Sequence, residues 1–200
     1  MPETHLFSSE KGPGWYGIKR FDRTESGKLH MATAAGLLHC NFREPCLDYQ
    51  TLMALTQRLS GARDLQEMLR RAYFNFVIDN RDDHAKNFSF VMNDTGEWRL
   101  APAYDLVPAT GGFEHMTALM GDGKRPPRKA FLKLATAFGI ASRKAEEALA
   151  RVDDSLGGWQ QLAKACGVKK PARFRTDSLK SGLYTAAFRK TESRSPDSVG

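Results

Sequence analysis

Residues 74–107 read FNFVIDNRDDHAKNFSFVMNDTGEWRLAPAYDLV, and their densest part is Asn80-Arg81-Asp82-Asp83-His84-Ala85-Lys86-Asn87. Phosphoryl transfer from a nucleotide needs a carboxylate to accept the proton of the attacking hydroxyl. It also needs an amide oxygen and a second carboxylate to hold magnesium against the phosphates. Loops built for this chemistry supply the first two as an Asp followed five positions later by an Asn, the spacing of Asp82 and Asn87. Asp105 follows inside Ala-Tyr-Asp-Leu. An Asp and an Asn in a polar loop also fit a helix C-terminus running into a turn. The order of the surrounding elements separates the two readings.

Upstream, Leu65, Met68, Leu69, Ala72, Tyr73 and Phe76 step along one face of a helix. Asp64 stands where an N-cap would, and Arg70 and Arg71 fall on the opposite face. The aromatic stripe is core, and such a helix anchors the loop that starts near Asp79. Downstream, residues 88–92 and 97–100 alternate as two strands around the turn Asn93-Asp-Thr-Gly96, and Pro102 ends the second. A hairpin returns the chain to its origin, so it can bring Asp105 back beside Asn87, where one magnesium ion could touch both.

Asp-Asp-His-Ala-Lys-Asn-Phe-Ser, with Trp-Arg-Leu-Ala-Pro-Ala-Tyr-Asp-Leu after it and Ile18-Lys-Arg-Phe-Asp-Arg23 before it, resembles the C-terminal lobe of the HipA-like serine/threonine kinases, the toxins of bacterial toxin–antitoxin modules. The resemblance covers roughly residues 15–165. It implies a mainly α fold with a small β-hairpin, the C-terminal lobe of a protein-kinase-like architecture, with ATP and Mg2+ as cofactors. It also implies roles. Asp82 would be the catalytic base. His84, Ala85, Lys86 and Asn87 would lie along the phosphates, with Asn87 and Asp105 on magnesium. Tyr104 would border the nucleotide, and Lys19, Arg20 and Phe21 would form the hinge that meets the adenine. No role is assigned to Asp83, and His115 has little to recommend it. The implied partners are a protein substrate (an aminoacyl-tRNA synthetase in the best-known members), a helix-turn-helix antitoxin and, through that complex, DNA.

Elsewhere, residues 15–22 alternate as a strand between Gly12-Pro-Gly14 and a Ser26-Gly27 turn. Residues 30–39 read as a short helix. Asp48 is placed to cap a helix reaching about Leu59, which Ser60-Gly61 breaks. Residues 107–127 are rich in Gly, lack periodicity and read either as a mobile substrate or activation loop or as a plain connection. Helical spacing returns at 128–138, 142–152, 156–166 and 171–190, with breaks at Gly139, Gly157-Gly158 and Gly167. The expected organisation is a leader over 1–14 with the N-lobe absent, the lobe over 15–190 and a disordered tail over 191–200.

The 200 residues contain 41% hydrophobic side chains, enough for one core. No run of about 18 apolar residues suggests a membrane span. Three cysteines without a CxxC pair argue against a disulfide framework and for a reducing cytoplasm. The net charge of +7 is uneven: residues 1–123 sum to −3 and residues 124–190 to +11. A basic half is a nucleic-acid footprint or an ordinary solvated surface. Three function classes remain open: a protein kinase, a non-catalytic remnant that binds an antitoxin or DNA, and a small-molecule phosphotransferase.

Overall fold

The computed structural model describes residues 2–12, 14–172 and 174. Most of the helix expected at 171–190 and all of the tail expected at 191–200 lie outside the described residues. The chain divides into two compact units, residues 1–152 and 153–200.

The first unit opens with an antiparallel pair, β1 (Thr4–Phe7) and β2 (Trp15–Ile18), in which Thr4 faces Ile18 and Phe7 faces Trp15. The stretch read as a leader therefore contributes a strand. Gly14 turns this hairpin at φ +106°, and a Cβ there would stand 2.5 Å from the Phe7 carbonyl oxygen, so glycine is required. The strand expected over 15–22 stops at Ile18. Residues 19–22 lead instead into a small ladder of β3 (Arg23–Thr24) and β4 (Gly27–Lys28).

Residues 30–39 are not one helix. His30–Thr33 forms β5, and only Ala34–Leu37 forms a helix, α1, with the Thr33 hydroxyl capping Gly36 N–H. The reason is non-local. β5 pairs antiparallel with β7 (Ser89–Met92), which also pairs with β8 (Trp98–Leu100). The expected hairpin is thus two-thirds of a three-stranded sheet of order β5-β7-β8. The strand content exceeds one small hairpin, because four small sheets are present among the described residues.

Two helices back this sheet. In α2 (Tyr49–Ser60) the Asp48 carboxylate accepts from Gln50 N–H at 2.7 Å, so the expected cap forms, and Gly61 ends the helix at φ 69°. A single 3-10 turn then leads into α3 (Leu65–Val77). Asp64 does not cap α3. Its carboxylate instead takes Arg99 through two hydrogen bonds of 2.9 and 2.6 Å and the Leu100 N–H at 2.9 Å, which ties the start of α3 to β8. Burial raises the Asp64 pKa, but these bonds outweigh it and the net shift is downward. Arg71 does not face water either. It is buried and donates to the Ala101 carbonyl at 2.6 Å and to Glu67 at 3.1 Å. Its long apolar stem makes this possible.

The core contains Leu52 and Met53 of α2, Met68, Leu69 and Ala72 of α3, and Phe88 and Phe90 of the sheet. α4 (Arg128–Ala137) closes it, with Phe131 edge-on to Tyr73 at 5.0 Å between centroids. α5 (Ser142–Gly157) runs five residues past its expected end, and its Ala148 and Leu149 are fully buried. In the second unit the break at Gly157-Gly158 precedes α6 (Trp159–Ala165), where Trp159 meets Phe174 at 5.4 Å. Among the described residues no helix is long and apolar enough to cross a membrane.

Candidate active site

Helix α3 ends at Val77, and Asp79 turns the chain in the left-handed region at φ 58°. The loop that follows sorts its two adjacent carboxylates to opposite sides. Asp82 is exposed, and its carboxylate makes no hydrogen bond or ion pair among the described residues. Asp83 is completely buried. The Asn87 side-chain amide closes the loop by donating to the Asp82 carbonyl at 3.0 Å. A donated amide nitrogen leaves the Asn87 oxygen free to accept or ligate.

The hairpin returns the chain as its length requires. The Tyr104 hydroxyl donates to the Lys86 carbonyl at 2.6 Å and accepts from the Ser89 hydroxyl. The residue before Asp105 is thereby fastened to the residue before Asn87. Burial raises the Tyr104 pKa, and the Ser89 bond only partly offsets this. Asp105 sits at φ 54°, another left-handed position, and its carbonyl accepts from the Asn80 amide at 3.3 Å. Its carboxylate is exposed and has no partner among the described residues.

The expected site residues do not all gather. Phe21 stacks on Tyr104 with centroids 5.8 Å apart, so one of the three residues expected at a hinge reaches the edge of the candidate site. Lys19 turns to Glu3 at 3.4 Å, and Arg20 forks onto Asp22 at 2.9 and 2.6 Å. Lys86 lies over the Phe42 ring, 3.6 Å from its centroid, a cation–π contact. His84 meets the same ring edge-on at 5.5 Å, and its buried Nδ1 makes no hydrogen bond. Ala85 is buried beneath the loop.

Beneath these exposed groups runs a buried polar chain that the spacing of the sequence does not reveal. The Asn80 amide donates to the Asn75 side-chain oxygen at 3.1 Å, and Asn75 donates to the Tyr49 hydroxyl at 2.9 Å. Tyr49 in turn donates to Asp83 Oδ2 at 2.9 Å. Burial, then the Asp83 charge, pushes the Tyr49 pKa well above the usual phenol range. Asp83 also accepts from the Thr117 N–H at 3.1 Å, while its own carbonyl accepts from the Thr117 hydroxyl. His115 Nδ1 stands 3.2 Å from Asp83 Oδ2. The sequence gives Asp83 no role and His115 little to recommend it; the structure buries both in this chain of contacts. The one signal for Asp83 was its place beside Asp82 in so short a loop.

The segment 107–127 is accordingly held at several points. Arg81 N–H donates to the Ala109 carbonyl at 3.0 Å, and its guanidinium reaches the Gly112 carbonyl at 2.5 Å. β9 (Thr117–Ala118) pairs in parallel with β6 (Leu47–Asp48), and Gly121 N–H donates to Asp48 at 2.8 Å. Backbone and side-chain groups far away in sequence supply these anchors, so the absence of periodicity gives no sign of them.

Comparison with known proteins gives the family and the fold. A model of the family described as the HipA-like C-terminal domain matches residues 1–159. A Sinorhizobium fredii protein named "Putative kinase Y4mE" is 31% identical over 150 residues, which is 74% of this chain and 30% of that protein. The serine/threonine-protein kinase toxin HipA of Shewanella oneidensis is 36% identical over 75 residues, 36% of this chain and 17% of that one. A solved complex of Shewanella oneidensis HipA, HipB and operator DNA contains a chain similar in fold, with TM-score 0.66 and 18% identity. That likeness covers 96% of this chain and 50% of the solved one. This chain thus spans at most half the length of these relatives. The family match covers most of its residues, and the chain belongs to the HipA-like C-terminal domain family.

Proposed function

We propose that this chain is the catalytic lobe of a HipA-type serine/threonine kinase, which moves the γ-phosphate of ATP to a protein hydroxyl. The observation that carries the reading is the return of the hairpin. It fastens Tyr104 to Lys86, and so draws Asp105 toward Asn87 in a loop whose Asp82 carboxylate is left uncommitted. The names of the relatives point the same way.

In this reading Asp82 accepts the proton of the attacking hydroxyl, and Lys86 opposes the charge that builds on the transferred group. Phe21 and Tyr104 offer stacked aromatic surface to the base, and Lys19 and Arg20 contribute backbone at the hinge. His84 and Ala85 line the phosphate side. Among the described residues no three His, Cys, Asp or Glu side chains form a metal cluster. Magnesium needs none, since it is held by one or two carboxylates together with substrate phosphates. Asn87, with its amide oxygen uncommitted, and Asp105, with its carboxylate free, have the hard oxygen donors that suit it. Bound there, the ion would neutralise phosphate charge. By extension from the solved complex, the lobe associates with a HipB-like antitoxin and, through it, with operator DNA. The basic stretch 124–190 suits the latter.

Titration calorimetry of ATP with magnesium tests the reading. Heat of binding is expected from the wild-type chain and none from Asp105→Ala. A folded chain that binds no nucleotide, or a mutant that binds as well as the wild type, would sink it.

A further inference from the structure

His115 belongs to the segment 107–127, yet its ring lies under the catalytic loop. It is 2% exposed, and its ring centroid is 3.9 Å from that of Phe76 of α3. Its backbone N–H is fixed to the Gly123 carbonyl at 2.8 Å. Asp83 already accepts hydrogens from Tyr49 and Thr117. A carboxylate can only accept, so the ring nitrogen facing it is the donor and Nδ1 carries a proton. The other nitrogen, Nε2, is buried without a hydrogen bond, 3.9 Å from Asp79 Oδ1. Asp79 is itself clamped by Arg81 at 2.9 and 3.1 Å.

One imidazole therefore sits between the two carboxylates that bracket Asp82 in the chain. Asp79 starts the loop in a left-handed turn, and Asp83 ends its first stretch in the core. Among the described residues His115 supplies the one basic side-chain nitrogen within 4 Å of the Asp83 carboxylate, at 3.2 Å. The Asp83 carboxylate rests on three groups, the Tyr49 hydroxyl, the Thr117 N–H and His115 Nδ1, and in a dry site it depends strongly on each of them.

We propose that His115 is a positioning residue for phosphoryl transfer, a clasp through which the 107–127 segment fixes the backbone on either side of Asp82. This rests on the kinase reading above. Displacement of the segment would release the Asp83 side of the loop and let the Asp82 carboxylate wander, while the Asn87 and Asp105 side, held by Tyr104 and Asn80, stays in place.

Two substitutions separate the clasp from simple packing. His115→Asn keeps an N–H donor near the Nδ1 position but loses ring area against Phe76. His115→Leu keeps an apolar body and loses the donor. Hydrogen exchange of the full chain, without nucleotide, is read over residues 79–87. Loss of one hydrogen bond to a charged group corresponds to about tenfold faster exchange in His115→Leu, with His115→Asn close to wild type. The rate of phosphoryl transfer should fall in the same order while ATP affinity by calorimetry stays unchanged. His115→Gln, whose amide reaches toward Asp79 rather than Asp83, supplies a third reading if the leucine variant does not fold, and its exchange should also rise. Wild-type exchange in the leucine and glutamine variants would overturn the clasp whatever the activity does. So would an asparagine variant looser than the leucine one, which would make the role one of packing. Exchange that follows the predicted order in a chain that neither binds ATP nor transfers phosphoryl groups would overturn the catalytic role, and would locate the failure in the kinase reading rather than in the contact.

Discussion

The β1–β2 hairpin and the loop system around Asn80 and Asp83 invert the usual distribution of polarity. In the hairpin Trp15 is 73% exposed, Tyr16 70% and Leu6 63%. In the loop system Asp83 is 0% exposed and Asn80 1%. The difference lies in where each region finds its partners. The loop's polar groups satisfy one another through Asn75, Tyr49, Thr117 and His115, so their burial is compensated within this chain. The hairpin has its ladder, the Lys19–Glu3 pair and little else. A two-stranded ribbon with aromatic side chains facing water is marginal on its own.

The contrast can be broken most sharply at Asp83. Asp83→Ala would leave the Tyr49 hydroxyl, the Thr117 N–H and His115 Nδ1 without their acceptor in a dry site. Removal of one member of such a buried set costs about 3–5 kcal/mol. Urea denaturation checks this, and a loss below about 1 kcal/mol would mean that the network is no tighter than ordinary surface polarity.

A smaller effect is expected at Asp22, which lies between the two regions. The Arg20 hydrogen bonds hold its carboxyl down at about 2, against an ordinary 3.8, with burial opposing and the Arg20 and Arg23 charges assisting. A depressed folded-state pKa stabilises the fold above the unfolded-state value, and that contribution disappears as pH falls. The turn of residues 20–23 should therefore keep this support above pH 3.8 and lose it as pH falls through about 2. Arg20→Ala should move the onset of loss upward, as followed by the Phe21 ring signals in an acid titration. An unchanged onset would show that Arg20 is not the cause.

The smallest effect belongs to the hairpin rings. Trp15→Ser and Tyr16→Ser should each change stability by no more than about 0.5 kcal/mol, the usual figure for exposed positions. A thermal melt that registers a loss of about 2 kcal/mol or more would show that these rings are covered in solution and would erase the contrast from the other side.

These same regions show what the sequence could and could not disclose. The helices α2, α3 and α4 and the hairpin of β7 and β8 were legible, because their apolar periodicity and turn residues are local signals. The family likeness was legible from contiguous motifs such as Asp-Asp-His-Ala-Lys-Asn. Residues 30–33 carry a helical pattern yet pair as strand, because their partner, β7, lies nearly 60 residues away. Asp64 stands where a cap belongs, yet Arg99 and Leu100 claim it across 35 and 36 residues. Asp83 and His115 are 32 residues apart, and no spacing rule joins them. The exposed candidates Asp82 and Asp105 could be picked out by residue type. The buried groups beneath them could not, since contacts rather than a motif join them.

Asp105 has a further consequence. It holds φ at 54°, a conformation that glycine enters freely and a side chain with a Cβ enters at a cost of about 1–2 kcal/mol. Selection for stability alone would replace it with glycine. The resulting chain would be easier to fold and would lack a carboxylate at the mouth of the hairpin. In the kinase reading, position 105 is thus a place where screening for thermostability and screening for activity should drive the sequence in opposite directions.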